Sequence, residues 1–179
     1  MNTPSFSGHE SFLGKAGESH VTAMALACRM EVLTPMVDHG HGCDLLIKVG
    51  QHLIPIQVKT MSCSDRGNWT MPIKNRAQKE LSIGKGLYLA VLCSQDQPGV
   101  PFSFLKVFAI DARALDIMAQ KPKAQSLHIT SRSRLLSHEH DRFAAKNGDV
   151  ALIEASSPSE FARAIKRHEI VMRGDRDRT

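Results

Sequence analysis

Two short apolar-rich runs, one on each side of positions 50–51, constrain the fold most strongly. Because side chains alternate along a strand, a two-residue turn at 50–51 predicts an antiparallel hairpin in which Asp44 lies opposite Gln57. Lys59 shares a face with Gln57, so the hairpin is predicted to hold a carboxylate, an amide and an amine close together. The apolar residues share the opposite face and fix the register; they are Leu45, Ile47, Val49, Ile54, Ile56 and Val58.

Size and composition predict one soluble intracellular domain. The chain has 179 residues, of which 42% are hydrophobic and 23% charged, enough for one core of ordinary size. No apolar run approaches the roughly 20 residues that cross a bilayer. The first ten residues lack the layout of a secretory signal, so we expect a cytoplasmic protein without membrane contact. We assign 1–171 to a single domain and 172–179 to a charged, disordered tail.

The charge of the chain is typical of a protein with a polyanionic partner. The formal net charge is +5, and basic residues cluster after the hairpin, which favours contacts with a polyanion. The residues that we expect to make such contacts are His39, His41, Arg66, Lys74, Arg76 and Lys79. Solvated faces explain such clusters equally well.

The four cysteines are widely spaced and form no Cys-x-x-Cys pair, which argues against a zinc ribbon and against a disulfide scaffold.

A helix is predicted over 16–30, with one apolar stripe at helical spacing. Glu18 lies on that stripe in the first turn of the predicted helix. A carboxylate on a core-facing stripe is costly unless it is paired or bound to a cation. The alternative is that Glu18 only complements the helix N-terminus.

The remaining elements predict an α/β domain with a mixed central sheet flanked by helices. Pro55 is awkward in the second hairpin strand and normally marks an edge or a bulge. Trp69 follows in a turn-rich segment at 62–72, either as a base-stacking residue or as a core residue. Asp111 is a candidate helix cap, and Ser157 and Glu160 form a capping box before the last helix. The other predicted elements are strands at 31–36, 87–93, 102–110, 127–130 and 150–154 and a short helix at 73–83.

The order Glu18, Asp44, Gln57-x-Lys59 resembles the PD-(D/E)XK nuclease superfamily, as a Gln-x-Lys variant. The strings Gly-Glu at 17–18, Gly-Cys-Asp-Leu-Leu-Ile at 42–47 and Ile-Gln-Val-Lys-Thr at 56–60 are similar to the branch that contains Holliday-junction resolvases, some homing endonucleases and restriction-type enzymes. The resemblance covers about the first 110 residues and implies a restriction-endonuclease-like core.

The resemblance implies Mg²⁺-dependent hydrolysis of DNA phosphodiester bonds, with Mn²⁺ as a possible substitute and no organic cofactor. Asp44 would be the central metal ligand, Glu18 an outer or second-metal ligand, and the Val58 carbonyl and the Gln57 amide oxygen further ligands. Lys59 would orient or help to deprotonate the attacking water and stabilise the transition state. Such small enzymes often cut two strands as a symmetric pair, so we expect a homodimer.

Gln57 replaces the acid that the superfamily pattern usually carries. An amide oxygen still coordinates a divalent cation but without negative charge, so metal affinity should fall. One alternative is therefore a weakened nuclease fold that acts as a DNA-binding or protein-interaction module. A second is an interaction protein with no nucleic-acid role, whose basic patches serve an acidic partner. For the hairpin taken alone, the alternative is an ordinary amphipathic hairpin with a surface salt bridge.

Overall fold

The computed structural model describes residues 9–34, 43–64, 66–72, 86–94, 101–119, 126–131, 143–146 and 151–176. The loop with His39 and His41, and the segment that carries Lys74, Arg76 and Lys79, lie outside the described residues. The helix predicted at 73–83 lies outside them too.

The described residues form three helices and nine strands. The helices are α1 His9–Ala27, α2 Ala112–Ala119 and α3 Pro158–Arg176. The strands are β1 Glu31–Leu33, β2 Leu45–Val49, β3 His52–Met61, β4 Asn68–Pro72, β5 Leu87–Cys93, β6 Phe104–Asp111, β7 Ser126–Ser131, β8 Phe143–Lys146 and β9 Ile153–Glu154.

A six-stranded sheet in the order β1-β2-β3-β5-β6-β9 forms the centre of the fold. The pair β3–β5 is parallel and the other four pairs are antiparallel. The α/β class with a mixed central sheet is therefore confirmed. β5 is buried along its whole length, as expected for a strand with neighbours on both edges and layers on both faces.

The hairpin β2–β3 has the predicted register. Val49 pairs with His52, and the ladder runs to Leu45 and Ile56 without a shift. Gly50 has φ 59° at the first turn position, which suits glycine in a two-residue hairpin turn.

We expected Pro55 to mark an edge or a bulge of the strand. The expectation of a bulge was wrong. Pro55 pairs with Leu46 in the regular ladder. Hydrogen-bonded and non-hydrogen-bonded pairs alternate from the turn, which assigns Pro55 to a non-hydrogen-bonded pair. The parallel pairing with β5 begins one residue later, at Ile56, so the ladder does not need the N–H group that proline lacks.

Helix α1 begins earlier and ends earlier than the range 16–30 predicted for it. Its C-terminus is a Schellman motif, in which the Met30 amide donates to the Ala25 carbonyl and the Arg29 amide donates to the Leu26 carbonyl. Arg29 takes the left-handed conformation with φ 56°. The helix end therefore uses a residue type that gives no stop signal in the sequence.

The first face of the central sheet packs against α1 and α3. The core on this side contains the apolar face predicted for the hairpin, the alternate residues of β5, and the stripes of both helices. Val21, Met24 and Ala25 of α1 are buried there. Burial of a large aliphatic side chain contributes about 1.5–3 kcal/mol relative to exposure, so α1 is held firmly against β3.

The second face of the central sheet packs against α2 and against a small sheet of order β4-β7-β8. β4 lies in the segment predicted to be turn-rich, and its alternation buries Trp69 and Met71. The Trp69 indole N–H donates to the Cys93 carbonyl at 2.8 Å. Trp69 is thus a core residue, and the base-stacking alternative was wrong.

The predicted helix caps are confirmed. Asp111 accepts a hydrogen bond from the Arg113 amide at 2.7 Å at the start of α2. Ser157 and Glu160 form the reciprocal bonds of a capping box at the start of α3. α3 continues to Arg176, into the range 172–179 assigned to a tail. Within the described residues, no helix combines the length and the apolar character needed to cross a membrane.

Candidate active site

Asp44 lies one residue before β2, where the hairpin ladder ends. Its backbone amide donates to the Ile56 carbonyl at 2.8 Å and keeps the chain beside β3. Its carboxylate accepts two hydrogen bonds at Oδ2, from Gln57 Nε2 at 2.5 Å and from the Val58 amide at 2.7 Å. Among the described residues, no donor contacts Oδ1. One oxygen of Asp44 is therefore fixed by β3.

The surroundings of Asp44 favour a positive charge that the protein supplies only in part. Burial raises the pKa of Asp44, and repulsion by Glu18 raises it further. The bond from the Val58 amide and the ammonium groups of Lys59 and Lys15 lower the pKa, but the net shift is upward. A carboxylate with a raised pKa is insufficiently compensated when ionised, and a cation at Oδ1 would remove the deficit.

Glu18 reaches this region from α1. Its Oε2 accepts a charge-assisted bond from Lys15 Nζ at 2.6 Å, one turn earlier on the helix. The same ammonium acts electrostatically on Asp44, and both carboxylates raise the pKa of Lys15. Lys15 is therefore a member of the charge cluster that the sequence reasoning missed. The signal that was available is its position three residues before Glu18, which helical geometry brings to the same face.

A close approach between α1 and β3 sets the position of Glu18. Gly17 is buried, and a Cβ atom built on it would lie 1.8 Å from Thr60 Oγ1 and 3.0 Å from Thr60 Cβ. Only a residue without a side chain lets the helix backbone lie this near the strand. Glu18 follows immediately and is thereby presented beside the end of the hairpin.

Lys59 follows Gln57 on the same face of β3, as predicted from the alternation. It is half-buried, and its charge acts on Asp44. Gln57 is only 6% exposed, and a buried amide is costly unless it is bonded. The Asp44 carboxylate provides that bond.

Lys59 also lines a cleft of about 440 Å³. The cleft lies between the first turns of α1, the C-terminal part of β3 and β4. Hydroxyl and amide side chains supply most of its polar lining, and Met61 and Met71 lie at its base. The sequence reasoning did not find this cleft, because its walls come from segments that meet only in the folded chain.

The donor set at the hairpin suits a hard divalent cation. Asp44 and Glu18 carry carboxylate oxygens, and Gln57 keeps its amide oxygen after donating through nitrogen to Asp44. These are the oxygen ligands that Mg²⁺ prefers, usually one or two carboxylates with water and phosphate completing the shell. No group of three or more His, Cys, Asp or Glu side chains suited to a metal occurs among the described residues. A site here would therefore use few charged protein ligands.

The predicted site residues differ in how the structure places them. Asp44 and Gln57 are in direct contact, and Glu18 and Lys59 act electrostatically on Asp44. We call these four residues the polar cluster. Arg66, the described member of the predicted DNA contacts, is exposed in the connection between β3 and β4. No described contact joins Arg66 to the cluster.

Comparisons with known proteins give a structural likeness but no family. The sequence matches no protein-family model, and no curated protein matches it. A solved structure described as that of a bacterial homing endonuclease, I-Ssp6803I, is similar with a TM-score of 0.49 and 16% sequence identity. The likeness covers 78% of this chain and 83% of the other chain.

Proposed function

We propose that the chain is a Mg²⁺-dependent endodeoxyribonuclease that hydrolyses DNA phosphodiester bonds. The observation that supports this most is the state of Asp44: one oxygen is held by Gln57 and Val58, the other accepts no hydrogen bond from the described residues, and the pKa is raised by burial. This is a carboxylate prepared for a cation. The order of the cluster along the chain resembles the PD-(D/E)XK pattern, as the sequence already indicated.

Each residue of the cluster has a separate task in the proposal. Asp44 and Glu18 would hold the cation, with the Gln57 amide oxygen and the Val58 carbonyl as further donors. Bound Mg²⁺ supplies positive charge that offsets the charge developing on the phosphate. Lys59 orients the attacking water and stabilises negative charge at the phosphate with its ammonium group. Lys15 serves as the counter-ion of Glu18.

The test is nicking of supercoiled plasmid with and without Mg²⁺ or Mn²⁺. We expect Asp44→Ala and Lys59→Ala each to lose at least about a hundredfold in rate, the range of a lost general catalyst or charge stabiliser. Lys48→Ala is the matched control, because Lys48 is an exposed lysine on the same hairpin whose partner is Glu31 on β1. Lys48→Ala should cleave like the wild type. Undiminished cleavage by clean Asp44→Ala or Lys59→Ala protein would contradict the assignment.

A DNA-binding module without catalysis is the second candidate, and one contact favours it. Gln57 uses its amide nitrogen on Asp44, so the Gln57 amide has a partner without a metal. Titration calorimetry with Mg²⁺ and Mn²⁺ separates the two candidates. Heat of binding that is lost in Asp44→Ala supports the nuclease. Salt-dependent DNA binding without metal binding at millimolar concentration supports the module.

A further inference from the structure

The cleft beside Lys59 supports a further inference, which rests on the proposed function. Its lining includes Lys59 of the proposed catalytic cluster, the hydroxyls of Ser62 and Ser64, and Thr70 of β4. Ser62, Ser64 and Thr70 are exposed. A substrate strand with its reacting phosphate at Asp44 would therefore find a lined channel on one side of the cluster.

The chemistry of the lining matches the sugar–phosphate backbone of a nucleic acid. Apart from Lys59, the polar lining residues are neutral hydroxyl and amide side chains, and no carboxylate is among the described lining residues. Serine, threonine and asparagine commonly contact phosphate and sugar oxygens in DNA complexes. Such contacts carry no sequence information, and neutral donors release no counter-ions on binding.

The volume of the cleft limits the size of the ligand that it can bind. About 440 Å³ lies in the lower part of the range of ligand pockets, about 300–1,000 Å³. That volume is of the order of one nucleotide. The buried side chains of Met61 and Met71 give the cleft an apolar base, which suits the carbon atoms of a deoxyribose.

Thr70, which lines the cleft, is held in place by its neighbours. Its Oγ1 lies 3.1 Å from His128 Nδ1, and His128 Nε2 lies 2.9 Å from Ser126 Oγ. This chain of contacts joins β4 to β7, so the hydroxyl at the cleft is fixed before any ligand binds. A fixed donor loses less entropy on binding than a freely rotating one.

We propose that this cleft binds the sugar and phosphate of the nucleotide next to the scissile bond, independently of its base. The cleft thereby sets the strand in register with Asp44 and Lys59. Its hydroxyl and amide contacts are uncharged, so they leave the salt dependence of DNA binding unchanged.

The test uses the full chain, a short fluorescently labelled DNA and a series of salt concentrations, without divalent metal. Ser62→Trp and Thr70→Trp fill the cleft from exposed positions, and Thr70→Val removes only the hydroxyl. Ala23→Trp is the control for an added indole, because Ala23 is exposed on α1 and does not line the cleft. Circular dichroism confirms that each variant is folded.

We expect the two tryptophan variants in the cleft to bind DNA about tenfold more weakly or worse, and Thr70→Val about twofold to tenfold more weakly. Ala23→Trp should bind like the wild type, and the slope of log K against log salt should be the same in all variants. Equal binding by Ser62→Trp and Ala23→Trp would overturn the proposal. A slope of log K against log salt whose magnitude falls by about one would also overturn the proposal, since that change marks the loss of a contact between a cationic side chain and a phosphate.

The two proposals fail in different ways in these experiments. If the wild type cleaves plasmid and the cleft-filling variants bind and cleave equally well, the cleft assignment is wrong and the nuclease assignment stands. If the wild type binds DNA, loses affinity when the cleft is filled, and never cleaves, the nuclease assignment is wrong and the cleft remains a strand-binding site.

Discussion

Substitution of Gly17 by alanine tests the close approach between α1 and β3. In an open helical position, glycine to alanine stabilises a protein by about 1 kcal/mol through helix propensity. Gly14 of the same helix is such a position, since a Cβ atom there meets nothing within 4 Å. Gly14→Ala is thus an internal reference for the propensity effect.

At Gly17 the new methyl group meets Thr60. Rotation of the Thr60 side chain can move Oγ1, which lies 1.8 Å away, but Thr60 Cβ remains at 3.0 Å. The helix must then move away from the strand. Overpacking of this kind costs about 1–3 kcal/mol. Gly17→Ala should therefore be less stable than Gly14→Ala by about 1–3 kcal/mol, although the chemical change is the same.

The measurement is urea-induced unfolding followed by circular dichroism, with the slope m checked for constancy. The double variant Gly17→Ala/Thr60→Ala removes two of the three contacting atoms and should recover part of the loss relative to Thr60→Ala alone. Because Glu18 follows Gly17, plasmid nicking should fall in Gly17→Ala and persist in Gly14→Ala. Equal stability of the two single variants would refute the packing argument.

Two further predictions concern titrating carboxylates. Since the pKa of Asp44 is raised, chiefly by burial, ionised Asp44 destabilises the fold at neutral pH. Asp44→Asn should therefore raise the melting temperature at pH 7 while abolishing cleavage. A lower melting temperature would contradict this. The hydrogen bond from His168, followed by the Arg113 amide, lowers the pKa of Asp111 below 3.8, and His168 Nδ1 lies 3.5 Å from Asp111 Oδ2. Asp111→Asn keeps the cap but removes the charge, so the wild type should be the more stable protein above pH 3.8. That advantage should shrink as the pH falls below 3.8 through the native pKa; an advantage that persists unchanged in unfolding titrations at lower pH would exclude the mechanism.

The hairpin was predictable from the sequence because every signal there is local. Alternation fixes the faces, the glycine at position 50 fixes the turn, and the two apolar faces leave one register. The opposition of Asp44 and Gln57 follows from these alone, and the structure gives the bond between them at 2.5 Å.

What the sequence did not predict depends on contacts between distant segments. The end of α1 uses Arg29 in a conformation typical of glycine, so no stop signal is visible. The small sheet pairs β4 with β7, which lies far along the chain. Trp69 remained ambiguous because its hydrogen-bond partner, the Cys93 carbonyl, belongs to another strand. The cleft has the same origin. Lys15 was missed although its position three residues before Glu18 is a local signal.

Strand β3 links two cores that otherwise belong to different layers of the molecule. Ile56 and Val58 pack with the helical layer, whereas Met61 packs with the layer of the small sheet. Gln57 and Lys59 lie between these contacts, so the geometry of the polar cluster depends on both layers at once. Loosening either layer, even at a site remote from Asp44, is therefore expected to impair the cluster before the protein unfolds.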